Sequence, residues 1–153
     1  MTQNEPTRAC AAALHLGPGA EPAPLVAMAV DVVIFTVTER GLAVLLRRRQ
    51  DAPFAGYWTL PGGFLSDDES PETGAERVLA DKIGVRGLYA EQLYTFGRPD
   101  RDPRGRVVSI GFFALMPWNR AAPLAGEAHG TAWHSVDTLA PLGFDHAEII
   151  GMA

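Results

Sequence analysis

Gly63-Phe64-Leu65-Ser66-Asp67-Asp68-Glu69, then Ser70 to Glu76, then Arg77-Val78-Leu79-Ala80-Asp81-Lys82-Ile83-Gly84-Val85 is the stretch that decides the fold. Ser70 can cap the free amides of a helix start, and Pro71 suits the first helical position. Gly84 is placed to end that helix as a left-handed residue. Gly74 inside it costs about 1 kcal/mol against alanine, so close packing or a backbone contact is expected there. Gly62 and Gly63 let the backbone turn tightly and approach a ligand; a plain strand-to-loop turn is the alternative.

Upstream, Ala27 to Thr38 and Leu42 to Arg49 are β-branched apolar runs, and Glu39-Arg40-Gly41 between them reads as the turn of a β-hairpin. Asp51 to Gly56 is a loop. Tyr57 to Leu60 is a short extended piece ended by Pro61, which cannot donate to a ladder. Downstream, Leu88 to Phe96, Val107 to Met116 and Thr131 to Val136 read as strands, with a charged turn-rich loop at 97–106. Asp145 opens a last helix. Strands and helices mixed in this order predict an α/β sandwich around a mixed sheet.

The chain has 153 residues and a formal net charge of -5, which fits one domain and argues against tight nucleic-acid binding. One cysteine, Cys10, excludes an intrachain disulfide and fits a reducing cytoplasm. Residues 1–24 are rich in Ala, Pro, Gly and Thr and read as a mobile tail before a domain at 25–153. The apolar run Ala11 to Leu16 is too short to span a membrane.

Gly63, five residues, Glu69, seven residues, then Arg77, Leu79, Gly84 and Val85 stand in register with the Nudix box. Leu60-Pro-Gly-Gly-Phe64 strengthens the match, and the segment from about Val30 to Ile150 resembles the Nudix superfamily. Three glutamates of the box are replaced, by Val78, Asp81 and the chain's one lysine, Lys82. Within the superfamily the chain looks most like the ADP-ribose-recognising branch, on Leu93-Tyr-Thr-Phe-Gly97, Asp100 to Ser109, and Phe144-Asp-His-Ala-Glu-Ile-Ile150. That branch holds both hydrolases and Nudix-related transcriptional regulators of NAD metabolism. The regulators have eroded boxes, bind ADP-ribose as an effector, and bind DNA through a separate C-terminal domain.

The resemblance implies an α/β/α sandwich and a homodimer. A hydrolase of this kind needs divalent metal, such as Mg²⁺, to shield phosphate charge and activate water. Carboxylates at helical positions i, i+3 and i+4 would share such an ion, but here only Asp81 remains at those positions. Glu76, roughly 200° round the helix from Val78, faces elsewhere. Glu69 and Asp81 are the candidate catalytic and metal-binding residues if hydrolysis survives, helped by a loop carboxylate such as Glu127.

Lys82 carries two readings: an ammonium that neutralises a diphosphate directly, or a solvated residue paired with Asp81 or Glu148. By motif matching, the ligand is expected near Gly62, Gly63, Phe64, Lys82 and the loop arginines Arg101, Arg104 and Arg106. Arg48 and Arg49 are candidate phosphate contacts, since a guanidinium grips oxygens bidentately. Salt-bridging to Asp100 and Asp102 is the alternative for the loop arginines. Arg77 is expected to brace the loop against the helix. Trp58 and Trp133 read as core, and His146 as a satisfied structural histidine.

Two functions follow. One is a domain that binds ADP-ribose or a related nucleoside diphosphate with little or no hydrolysis. The other is a working Mg²⁺-dependent pyrophosphohydrolase. A purely structural dimerisation domain is the third possibility.

Overall fold

A computed structural model describes residues 23–126 and 130–153. The expected tail at 1–24 lies almost wholly outside the described residues, as does Glu127.

The longest strand, β1 (Ala27–Thr38), organises the molecule. Its run from Ala29 to Phe35 is buried on both faces except for one intrusion, Asp31, itself buried. On one side β1 pairs in parallel with β6 (Val107–Leu115). On the other it pairs antiparallel with β2 (Gly41–Arg48), but only from Phe35 to Thr38. Beyond that point the two strands part. Residues 58–64 fill the opening: β3 (Trp58–Thr59) pairs with β2, and β4 (Gly62–Phe64) pairs with β1 at Ala29 to Asp31. A hydrogen bond from Val32 N–H to the Pro61 carbonyl stitches the fork. β5 (Glu91–Phe96) borders β6, and β7 (Thr131–Ser135) borders β2, which completes a seven-stranded mixed sheet.

Helix α1 (Pro71–Ile83) covers one face. Its start and end follow the sequence reading: the Ser70 side chain accepts from Thr73 N–H, and Gly84 adopts φ 69°. Gly74 is needed because a Cβ there would strike the Leu65 side chain. Val78, Leu79 and Ile83 pack on Val30, Val32, Ile34, Leu45 and Phe112. Short α2 (Trp118–Ala121) follows β6 and contributes Ala121 to this core. On the opposite face, Ile149 and Ile150 of α3 (His146–Met152) pack on Val33, Phe35, Val44 and Leu46. The result is the expected α/β/α sandwich.

β1 keeps the expected ends, β2 lies one residue earlier, the other expected strands are shorter, and β4 and α2 are additions to the sequence reading. Trp58 and Trp133 each pack, half-buried, against one of the two cores.

Candidate functional site

The fork between β1 and β2 leaves a cleft of about 330 Å³, floored by Leu60, Gly62 and Gly63. Asp31 shows why Gly62 must be glycine: a Cβ at that position would collide with the Asp31 carboxylate and lie 2.9 Å from the Val30 carbonyl oxygen. Asp31 stays buried because three groups surround it. Ser109 Oγ donates to Oδ2 at 2.6 Å, Arg101 Nη2 approaches Oδ2 at 3.4 Å, and His146 Nε2 lies 3.4 Å from Oδ1. Asp145, which opens the last helix, takes both Nε and Nη2 of Arg101 at 2.8 and 2.7 Å. Burial alone would push the Asp31 carboxyl up, but the His146 imidazole, the Ser109 hydroxyl and Arg101 together hold it below the usual carboxylate range.

His146 is satisfied, as its sequence context suggested. Its Nδ1 accepts the Leu60 N–H at 2.8 Å, so that nitrogen carries no proton and the proton sits on Nε2, facing Asp31. Arg101 is a buried brace at the edge of the cleft. It lines the cleft, yet its side chain is 3% exposed and committed to Asp145 and Asp31.

The remaining arginines divide. Arg104 is held by Asp102, with Nη2 to Oδ2 at 2.7 Å and Nε to Oδ1 at 3.0 Å, so the expected pairing within the turn is present. That pairing keeps the Asp102 carboxyl low. Arg104 also lines the cleft, its guanidinium 5.1 Å from the Phe64 ring and 5.7 Å from the Phe144 ring. Arg49 lines it too, 5.2 Å from Phe144, with Nε donating to the Pro53 carbonyl. Arg48 and Arg106 do not line the cleft. Arg48 is an exposed strand end, and Arg106 Nη1 bonds the Gly97 carbonyl. Arg98, not a loop arginine singled out from sequence, is the partner of Asp100.

Arg77 ties the box together. Its Nε and Nη2 grip Glu69 at 2.9 and 2.5 Å, and Nη2 also reaches the Phe64 carbonyl at 2.9 Å. With Ser66 N–H on Oε1, these bonds push the Glu69 carboxyl down to about 2. Glu69 is therefore a clamp for the loop and does not line the cleft.

The three altered box positions point three ways. Val78 is fully buried in the α1 core. Asp81 lies on a second groove with Glu76 and Arg86 and does not line the cleft. Lys82 alone lines the cleft, and it makes no ion pair among the described residues. Its suggested partner Glu148 faces Arg98 instead, at 3.5 Å.

A divalent ion fits this donor set poorly. The cleft's two carboxylates, Asp31 and Asp102, are both engaged by side chains, and among the described residues no three His, Cys, Asp or Glu groups converge to hold a metal. Positive charge dominates the lining instead.

Sequence reasoning missed the Asp31–Arg101–Asp145 network and Phe144. The available signals were a lone carboxylate inside an apolar strand, and an aromatic after glycine that adopts φ 56°.

The chain is similar to the ADPR-responsive transcriptional repressor NtrR of Acinetobacter baylyi, 35% identical over 86% of this chain and 54% of the repressor. It thus spans about half that relative's length. It is 34% identical to an ADP-ribose pyrophosphatase of Methanocaldococcus jannaschii, over 81% of this chain and 70% of that protein. In structure it resembles the NUDIX domain of Shewanella oneidensis NrtR complexed with ADP-ribose. The TM-score is 0.74 at 36% identity, with 85% of this chain and 87% of that one covered. With residues 26–151 matching the NUDIX domain, the chain belongs to the NUDIX domain family.

Proposed function

We propose that this chain binds ADP-ribose, or a closely related nucleoside diphosphate, in the β1–β2 cleft and hydrolyses it poorly or not at all. The observation that carries this reading is Lys82: a cation without a carboxylate partner among the described residues, lining a cleft whose own carboxylates are already paired. An ammonium there neutralises phosphate oxygens at hydrogen-bonding range. It supplies neither the Lewis acidity nor the activated water that metal-assisted hydrolysis needs. Arg49 adds a further cation on the same lining. The resemblance to an ADPR-responsive repressor and to a NUDIX domain complexed with ADP-ribose supports the ligand class.

The second reading, a working pyrophosphohydrolase, has its support in the Methanocaldococcus relative. It would recruit Glu69, Asp81 and Glu127 around Mg²⁺. The clamp on Glu69 and the outward placement of Asp81 count against it. Incubation with ADP-ribose and Mg²⁺, with AMP release followed beside calorimetric binding, separates the two. Binding without AMP is the expected result, and turnover at ordinary hydrolase rates would refute it.

The same reading places the protein in the cytoplasm as a homodimer that touches neither membrane nor nucleic acid through these residues. No helix among the described residues is long and apolar enough to cross a membrane. Light scattering tests the dimer.

A further inference from the structure

The side chains at the cleft mouth form an alternating stack. Arg49 lies on Phe144, Phe144 also faces Arg104, and Arg104 lies on Phe64. The two rings therefore converge on one guanidinium, the planar group most like a base in its stacking behaviour.

The Phe144 wall is pinned by packing, while Phe64 is held through its strand backbone and its side chain is exposed. Phe64 sits on β4, held in the sheet by β1. Phe144 holds a left-handed φ of 56°, a costly conformation for an aromatic residue. It is pinned there by Phe54, with ring centroids 4.7 Å apart, and by Gly143, where a Cβ would stand 3.0 Å from both Phe54 and Thr59. Phe54 is left-handed as well, at φ 64°. The Arg104 side chain is 43% exposed, and its hydrogen bonds all go to Asp102, two residues away in the same turn. Swinging its guanidinium outward breaks no hydrogen bond between elements.

We propose that Phe64 and Phe144 form a nucleobase-stacking slot whose occupant in the free protein is the Arg104 guanidinium, and that the base of an incoming nucleoside diphosphate displaces it. This rests on the binding role proposed above and adds a means of discrimination. A bare diphosphate can reach Lys82 but has nothing to exchange for the arginine. A base can, because stacking on protein aromatics contributes about 5- to 150-fold in affinity per base, against about 2- to 5-fold for an exposed cation–π contact. The Asp102 side chain is 3% exposed and stays in place, so the guanidinium pivots about that carboxylate and keeps the ion pair as it leaves the rings.

The test uses the full chain with two probes, ADP-ribose and inorganic pyrophosphate. Saturation with ADP-ribose should move the Arg104 Nε–H resonance out of its ring-shifted position, and pyrophosphate should leave it in place. A charge-neutral Asp102→Asn, Arg104→Ala variant should bind ADP-ribose about 2- to 5-fold more tightly, with pyrophosphate affinity unchanged within about twofold. An Arg104 resonance unmoved by saturating ADP-ribose, or moved equally by pyrophosphate, overturns the slot. Weaker ADP-ribose binding by the double variant overturns it as well, since Arg104 would then be part of the grip. In each of those cases ADP-ribose still binds, and the proposed function stands. If neither probe binds the unaltered protein, that function fails and the slot falls with it.

Discussion

Replacing Arg101 with methionine strands two carboxylates. Asp145 loses two hydrogen bonds of 2.8 and 2.7 Å, and Asp31 loses a cation at 3.4 Å. All three side chains are under 10% exposed, so water cannot take over these roles without rearrangement. Removing one partner of a buried pair costs about 3–5 kcal/mol. Because Arg101 lines the cleft, water enters from that side, and the lower end, about 3 kcal/mol, is expected. For a domain of this size that is a fall in Tm of about 10 °C.

The loss should depend on pH. In the unaltered protein Asp31 is held below its ordinary value, so it contributes stability above its unfolded pKa and loses that contribution as acid protonates it in the folded state. Without Arg101, burial is less opposed and the Asp31 carboxyl rises. The variant is then penalised most where that carboxyl is charged, near pH 7.5, and least near pH 4.5. Urea unfolding at both pH values measures this. A loss below about 1 kcal/mol, equal at the two pH values, would refute the view of Arg101 as the brace of a buried charge network.

Other consequences are as specific. Val78→Glu should cost more than about 3 kcal/mol or prevent folding, because it buries a carboxylate among Val30, Leu79 and Phe112; an unchanged Tm would contradict the core placement. Gly62→Ala should destabilise and also weaken ligand binding, since the added methyl displaces Asp31 and presses on the Val30 carbonyl; thermal unfolding with ligand titration reports both. The Glu69–Arg77 clamp should survive mild acid. With the Glu69 carboxyl at about 2, its contribution is intact above the unfolded pKa and fades only as pH falls toward 2. A Glu69 side-chain titration by NMR with a midpoint near 4.5 would disprove the clamp.

Local signals in the sequence carried much of this fold. Ser70, Pro71 and Gly84 bound α1 because caps and φ preferences act within a few residues. The β1–β2 hairpin likewise follows from adjacent runs and their turn. β4 was hidden because two of its three residues are glycine, which strands disfavour, and it is too short to alternate; its pairing exists only where β1 and β2 part. The site shows the same division. Gly62, Gly63, Phe64 and Lys82 were legible from spacing, and all four line the cleft. The bracing role of Arg101 was not legible because its partners Asp145 and Asp31 lie 44 and 70 residues away, and charge type alone does not reveal burial. The three altered box positions separate for a related reason. A helical wheel groups 78, 81 and 82, but the sheet beneath α1 decides which of them meets the cleft.

The account's central claim is that a lysine, rather than a metal ion, meets the diphosphate. Calorimetric titration of ADP-ribose in EDTA, with the unaltered protein and Lys82→Ala side by side, tests it directly. A charged hydrogen bond contributes about 1.5–3 kcal/mol, so the variant should bind at least about tenfold more weakly while the unaltered protein binds fully without metal. Binding that appears only when Mg²⁺ is restored, or that is unchanged by loss of Lys82, would contradict the claim.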